Sequence, residues 1–114
     1  MKIQLIGTGT IPDMTNSASV LINDHILFDV PNGNLKAMIR QNIDILKIDT
    51  VIISHTHADH CFDMPFLLWY KEDYQKESKR LSTKIITDKI TQNTIENLID
   101  LSYFNSAKNA KKEF

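Results

Sequence analysis

The chain has 114 residues, of which 42% are hydrophobic and 24% charged, and its formal net charge is -1. That length holds one domain with one core, and the composition excludes a disordered chain. Near-neutrality excludes a global cationic field that would draw in nucleic acid or an anionic membrane, although a metal centre would bring its own charge.

In chain order, Ile3 and Leu5 mark a first strand, closed by Gly7 and Gly9 in the stretch GTGT. A loop through Pro12, Asp13 and Asn16 follows. Residues 19–22 and 26–29 form two strands around Asn23-Asp24, a hairpin turn whose side chains tolerate left-handed backbone. PNGN (residues 31–34) is a turn, and Asn34 is placed to cap a helix whose buried stripe includes Leu35, Met38 and Ile39. The β-branched run at 50–53 predicts a strand covered on both faces. Asp63 is placed to cap the next helix, with Pro65 in its first turn and an apolar segment from Phe66 to Tyr70. The polar run KEDYQKESKR that follows predicts a solvated helix end and loop, since acids interrupt its bases. Residues 84–87 form a fifth strand, and Thr91 caps a last helix with Ile95, Leu98, Ile99 and Ser102 on one side. Residues 106–114 are expected to fray. The result is an α/β (α+β) domain over residues 1–114: a mixed β-sheet with flanking helices.

The N-terminal MKIQLIG enters strand-like sequence with no apolar signal core. No apolar run approaches the roughly 20 residues of a membrane span. Cys61 is the only cysteine, so an internal disulfide is ruled out. A cytoplasmic protein without a membrane partner is the expectation.

The informative motif is HTHADH, residues 55–60, directly after the β-branched strand. It gathers three of the four histidines of the chain. His55 and His57 stand two apart, so an extended backbone aims both to one side, as a shared ligand pair requires. Asp59 and His60 are adjacent and address a second ion once the chain bends. Imidazole and carboxylate suit zinc or a harder divalent metal. The competing explanation, a polar loop with solvated histidines, does not account for their clustering at a strand end.

The motif has the form His-x-His-x-Asp-His and resembles that of the metallo-β-lactamase-fold hydrolases. LIGTGTIPDMTNSAS (5–19), LFDVPNGNL (27–35) and KIDTVIISHTHADHCFDMPFLL (47–68) are similar to the ribonuclease Z and phosphodiesterase branch. The resemblance implies an αββα sandwich of which this chain is the N-terminal half. It implies His55 and His57 as ligands of a first metal, and Asp59 and His60 as ligands of a second. It also implies Asp59 as the catalytic group orienting the attacking hydroxide, and Asp29 as an acid supporting the histidine loop. The implied cofactor is two Zn²⁺ per complete site, with Mn²⁺ or Fe²⁺ as substitutes. Where the family often has Gly, this chain has Pro31.

The donor count falls short. A catalytic zinc commonly takes three protein ligands, and His55 and His57 supply two. His25 sits beside the predicted hairpin turn, where an edge-strand role explains it, and no histidine follows His60. Asp88 and Asp100 read as cap or helix-surface residues, and Cys61 as packing. The expectation is an incomplete unit whose sheet exposes an apolar face and pairs through it, with a second copy as a homodimer or with a complementary C-terminal half. The leading function is metal-dependent hydrolysis of a phosphodiester, an RNA 3′ end or a small diester. Two alternatives stay open: hydrolysis of a thioester, lactone or β-lactam, and a truncated non-catalytic fragment that binds metal weakly or pairs with a partner.

Overall fold

A computed structural model describes residues 1–75 and 81–114. The elements run β1 (Ile3–Gly7), β2 (Ser19–Ile22), β3 (Ile26–Phe28), α1 (Asn34–Arg40), a 3-10 turn (Ile45–Lys47) and β4 (Thr50–Ile52). They continue as α2 (Ala58–Cys61), α3 (Met64–Tyr74), β5 (Thr83–Ile86), α4 (Lys89–Ser102), α5 (Asn105–Asn109) and β6 (Lys112–Glu113). All six strands form one sheet in sequence order. The first three are antiparallel, and β3 to β6 are parallel. The Asn23-Asp24 turn has φ of 51° and 65°, the left-handed pair that a tight hairpin needs.

The register separates the two faces of the sheet. Leu21, Leu27, Val51 and Ile85 are paired neighbours in one row, and all are buried. They join Met38 of α1, Leu67 and Leu68 of α3, and Ile95 and Ile99 of α4 in a single core. The opposite face carries Leu5, Val20, Phe28, Ile52 and Ile86 side by side across five strands. Its members stay open: Leu5 is 59% exposed, Phe28 39% and Ile86 45%. The expectation that the fourth strand is covered on both faces is therefore corrected. Val51 and Ile53 are buried, while Thr50 and Ile52 face the uncovered side and are half-buried.

The helix caps differ from the expected ones, for α1 through a distant partner and for α4 through a local one. Gly33, at φ 83°, is the N-cap of α1, and Asn34 is its buried first residue. Asp63 does not cap its own helix. Its carboxylate instead accepts from Gly33 N at 3.0 Å and Leu35 N at 2.7 Å, capping α1 from 28 residues away. Ile39, assigned to the buried stripe, is 49% exposed. Asp88 rather than Thr91 caps α4, accepting from Thr91 N at 2.7 Å.

Two polar segments also differ from expectation. Residues 106–114, expected to fray, form most of α5 and all of β6. Ala107 and Ala110 are buried, small enough to bring α5 close to its neighbours, and Lys112 Nζ donates to the carbonyls of Ala107, Lys108 and Ala110. Lys71, in the run expected to be solvated, is buried and donates to Ile48 O and Thr83 Oγ1. Residues 76–80 of that run lie outside the described residues.

Candidate metal centre

The parallel arrangement of β3, β4 and β5 brings their C-terminal ends to one edge of the sheet. The histidine loop leaves β4 at that edge. His57, with φ -61° and ψ 146°, is the extended residue before α2, which carries Asp59 and His60. The loop is held at several points. Thr87 Oγ1 donates to Ile53 O at 3.0 Å, Thr56 and Thr94 share a hydroxyl hydrogen bond at 2.5 Å, and Val30 N donates to His60 O at 2.8 Å.

The three clustered histidines converge. The His55 ring centroid lies 4.6 Å from that of His57 and 4.0 Å from that of His60. His55 Nε2 and His57 Nδ1 are 3.1 Å apart. Asp59 Oδ2 and His60 Nε2 are 3.5 Å apart. Two donors on one tetrahedral zinc, each at about 2.0–2.1 Å, stand about 3.3 Å from one another. Both pairs therefore have the separation of donors that share an ion. Among the described residues, however, no three ligand-type side chains are already arranged around one point.

Asp29 organises the cluster from beneath. It is buried and left-handed at φ 61°. For a residue other than glycine this conformation is uncommon and persists when its surroundings fix it. Its carboxylate accepts from Ser54 N at 2.8 Å, from Ser54 Oγ at 3.0 Å and from His60 Nδ1 at 2.8 Å. His60 Nδ1 thus faces the Asp29 carboxylate while Nε2 faces that of Asp59. In the tautomer protonated at Nδ1, Nε2 is a lone pair available to a metal, the carboxylate–histidine arrangement of metal sites. Imidazole and carboxylate are donor types that a divalent metal takes, and they fit one as paired donors rather than as a complete set.

Ser54 was not singled out in the sequence. Its Oγ lies 3.0 Å from His55 Nδ1 as well as from Asp29, so it links the two histidine pairs through one hydroxyl. Its position between a strand end and the first histidine was the only available signal. Cys61 is buried, with its thiol directed to Thr56 O and His57 O. Burial, with Asp29 and Asp59 adding to it, pushes the thiol up to about 11, so it is a packing group rather than a nucleophile. His25 stands at the opposite edge of the sheet, 3.0 Å from Asp49, and takes no part in the cluster.

The sequence profile of the family described as "Anti-Pycsar protein Apyc1" matches residues 1–111. The chain belongs to this family. Ribonuclease Z of Staphylococcus epidermidis (strain ATCC 12228) is 41% identical over 110 residues, which cover 90% of this chain and 35% of that protein. The chain thus spans about a third of the length of the curated relatives it matches. Human tRNase Z, short form, superimposes with a TM-score of 0.77 at 22% identity, over 94% of this chain and 42% of that one. The metallo-β-lactamase-fold protein YhfI of Bacillus subtilis gives 0.61 at 20% identity, over 97% and 43%. Family and neighbours together establish the metallo-β-lactamase fold and a ribonuclease Z-like sequence.

Proposed function

We propose that the chain carries half of a dinuclear centre for metal-dependent phosphodiester hydrolysis. The observation that carries this reading is the pairing of donor atoms at ion-sharing distance, His55 with His57 and Asp59 with His60. On it, His55 and His57 hold one divalent ion and Asp59 and His60 the other, with zinc the best match to nitrogen-rich donors. The ions, when bound, supply Lewis acidity and lower the pKa of water at the site. Asp59 orients the attacking water through its carboxylate. Asp29 keeps the His60 Nδ1 proton in place and so keeps Nε2 available as a donor. Ser54 holds the His55 ring through Nδ1.

Four donors do not complete two catalytic ions, and the uncovered sheet face lies beside the deficit. Phe28 and Ile52, in the open apolar row, directly precede or nearly precede Asp29 and Ser54. The proposal therefore includes a covering layer, supplied by a second copy or by a complementary C-terminal portion, that also brings the remaining ligands. The substrate class is a phosphodiester, either an RNA 3′ end or a small diester, in keeping with the names of the relatives. Among the described residues no helix is long and apolar enough to cross a membrane.

The test pairs metal content with turnover. Elemental analysis should find zinc bound to the chain and lost in His57→Ala. Hydrolysis of bis-p-nitrophenyl phosphate should depend on added Zn²⁺ or Mn²⁺ once the covering layer is present. Metal content identical to the His57→Ala control would defeat the reading. A metal-free, monomeric chain would instead support the non-catalytic alternative, which the missing ligands favour.

A further inference from the structure

Beside the histidine loop, on the same sheet edge, lie two adjoining clefts that the candidate metal ligands do not line. The first, about 270 Å³, is bounded by the loop between β1 and β2 and by α1, and it contains Lys36 and Arg40. The second, about 260 Å³, is lined by Leu35, Asp63 and Phe66 and shares Gly33 and Lys36 with the first. The two therefore form one groove with Lys36 at the junction.

Charge and contacts give the groove a direction. Lys36 and Arg40 are one helical turn apart, roughly 5–6 Å between Cβ atoms, on the same face of α1. Both are exposed, and neither pairs with a carboxylate among the described residues. Two carboxylates line the clefts as well, both turned to local donors: Asp13 accepts from Thr10 N at 2.8 Å and Thr10 Oγ1 at 3.2 Å, and Asp63, whose charge is felt by Lys36, accepts from Gly33 N and Leu35 N. At the other end Phe66 is 44% exposed, while an edge-to-face contact with Phe104, 5.5 Å between centroids, holds its ring. Two exposed cations, without a salt bridge among the described residues, followed by a held, half-open aromatic ring are the composition of a site for a phosphate with a flat base attached.

The groove is also coupled to the candidate centre. Val30 N donates to His60 O at 2.8 Å, Asp63 N donates to Val30 O at 3.1 Å, and the Asp63 carboxylate then grips the start of α1. Three consecutive contacts thus fix Lys36 relative to the histidine loop.

We propose that this groove is a nucleotide subsite, in which Lys36 and Arg40 bind one phosphate of a phosphodiester ligand and Phe66 stacks on the adjoining base. The assignment rests on the phosphodiester reading for its link to catalysis, but its binding chemistry stands apart from metal. The experiment is fluorescence anisotropy of a short labelled oligouridylate, run in EDTA so that no ion contributes. The Lys36→Ala/Arg40→Ala double variant should bind about 10-fold more weakly, with its salt dependence reduced by a slope of about one. Phe66→Ala should lose about 10-fold with the slope unchanged. Lys108→Ala, on α5, should stay within about two-fold, and binding that persists in EDTA separates failure of the metal reading from failure of this one. Inorganic phosphate should compete for the wild type and lose potency only in the double variant. Absence of binding by the wild type, equal losses in Lys108→Ala and the double variant, or wild-type slope in the double variant would overturn the site. Full affinity in Phe66→Ala would reduce it to a phosphate site and overturn the nucleotide assignment.

Discussion

Lys71 should make this protein more stable at alkaline pH than at neutral pH. Its ammonium lies buried beneath α3, bonded to Ile48 O and Thr83 Oγ1, with no carboxylate in contact among the described residues. Burial pulls it down from its ordinary 10.5 to about 8, the charge of Asp49 opposing only part of the effect. The gap, at about 1.36 kcal/mol per pH unit, corresponds to a penalty of about 3 kcal/mol for the charged form in the fold. Because the folded value lies below the unfolded one, the unfolded chain binds more protons between about pH 8 and 10.5. Stability from this group therefore rises across that window, and the full penalty is present below it. Lys71→Met removes the charge with a side chain one atom shorter and leaves two acceptors without a donor, at about 1–3 kcal/mol each at every pH. The stability difference between the two chains should therefore move in the wild type's favour by about 3 kcal/mol from pH 7 to pH 10.5. Urea denaturation of both chains from pH 6.5 to 10.5 measures the difference, which cancels the titration of all other groups. A difference that does not vary with pH would refute the reasoning.

Asp29→Asn, which keeps an amide tolerant of left-handed backbone but loses the charge, should cost about 2 kcal/mol in urea unfolding and weaken zinc binding about 10- to 100-fold in competition titrations. Wild-type zinc affinity would show that Asp29 does not set the His60 donor. Gly7→Ala should destabilise by about 2–3 kcal/mol by the same unfolding measurement, because a Cβ there meets backbone oxygens of Asn16 and Ser17 that cannot rotate away. On the reading that a second copy covers the open face, Leu5→Lys/Ile86→Lys should shift light scattering from dimer to monomer and make the unfolding midpoint independent of protein concentration; an unchanged oligomeric state would refute that reading.

The elements legible in the sequence were those whose evidence is local. Ile3 and Leu5 marked β1, the Asn23-Asp24 pair gave its hairpin, and HTHADH marked the strand end at which its side chains meet. Two of the errors share one cause, a partner far along the chain. The cap of α1 comes from Asp63 rather than Asn34, and the burial of Lys71 depends on acceptors at Ile48 and Thr83. α5, in the segment expected to fray, reaches the core through Ala107 and Ala110, whose small side chains in a polar run leave no periodic signal. Ser54 was passed over because one hydroxyl linking Asp29 and His55 has no spacing rule.

The open face and the short ligand set follow from one arrangement of strands. Parallel β3, β4 and β5 end together, so the residues that close the apolar row, Phe28 and Ile52, stand immediately before those that begin the donor cluster. A layer packed on that row at the usual sheet spacing of about 10 Å would place its own strand ends beside His55 and Asp59. On the function proposed, burying the hydrophobic face and supplying the missing ligands are therefore one event, and zinc affinity should rise together with whatever state covers Phe28. A covering layer that left metal affinity unchanged would separate the two and return the four donors to the status of a polar loop.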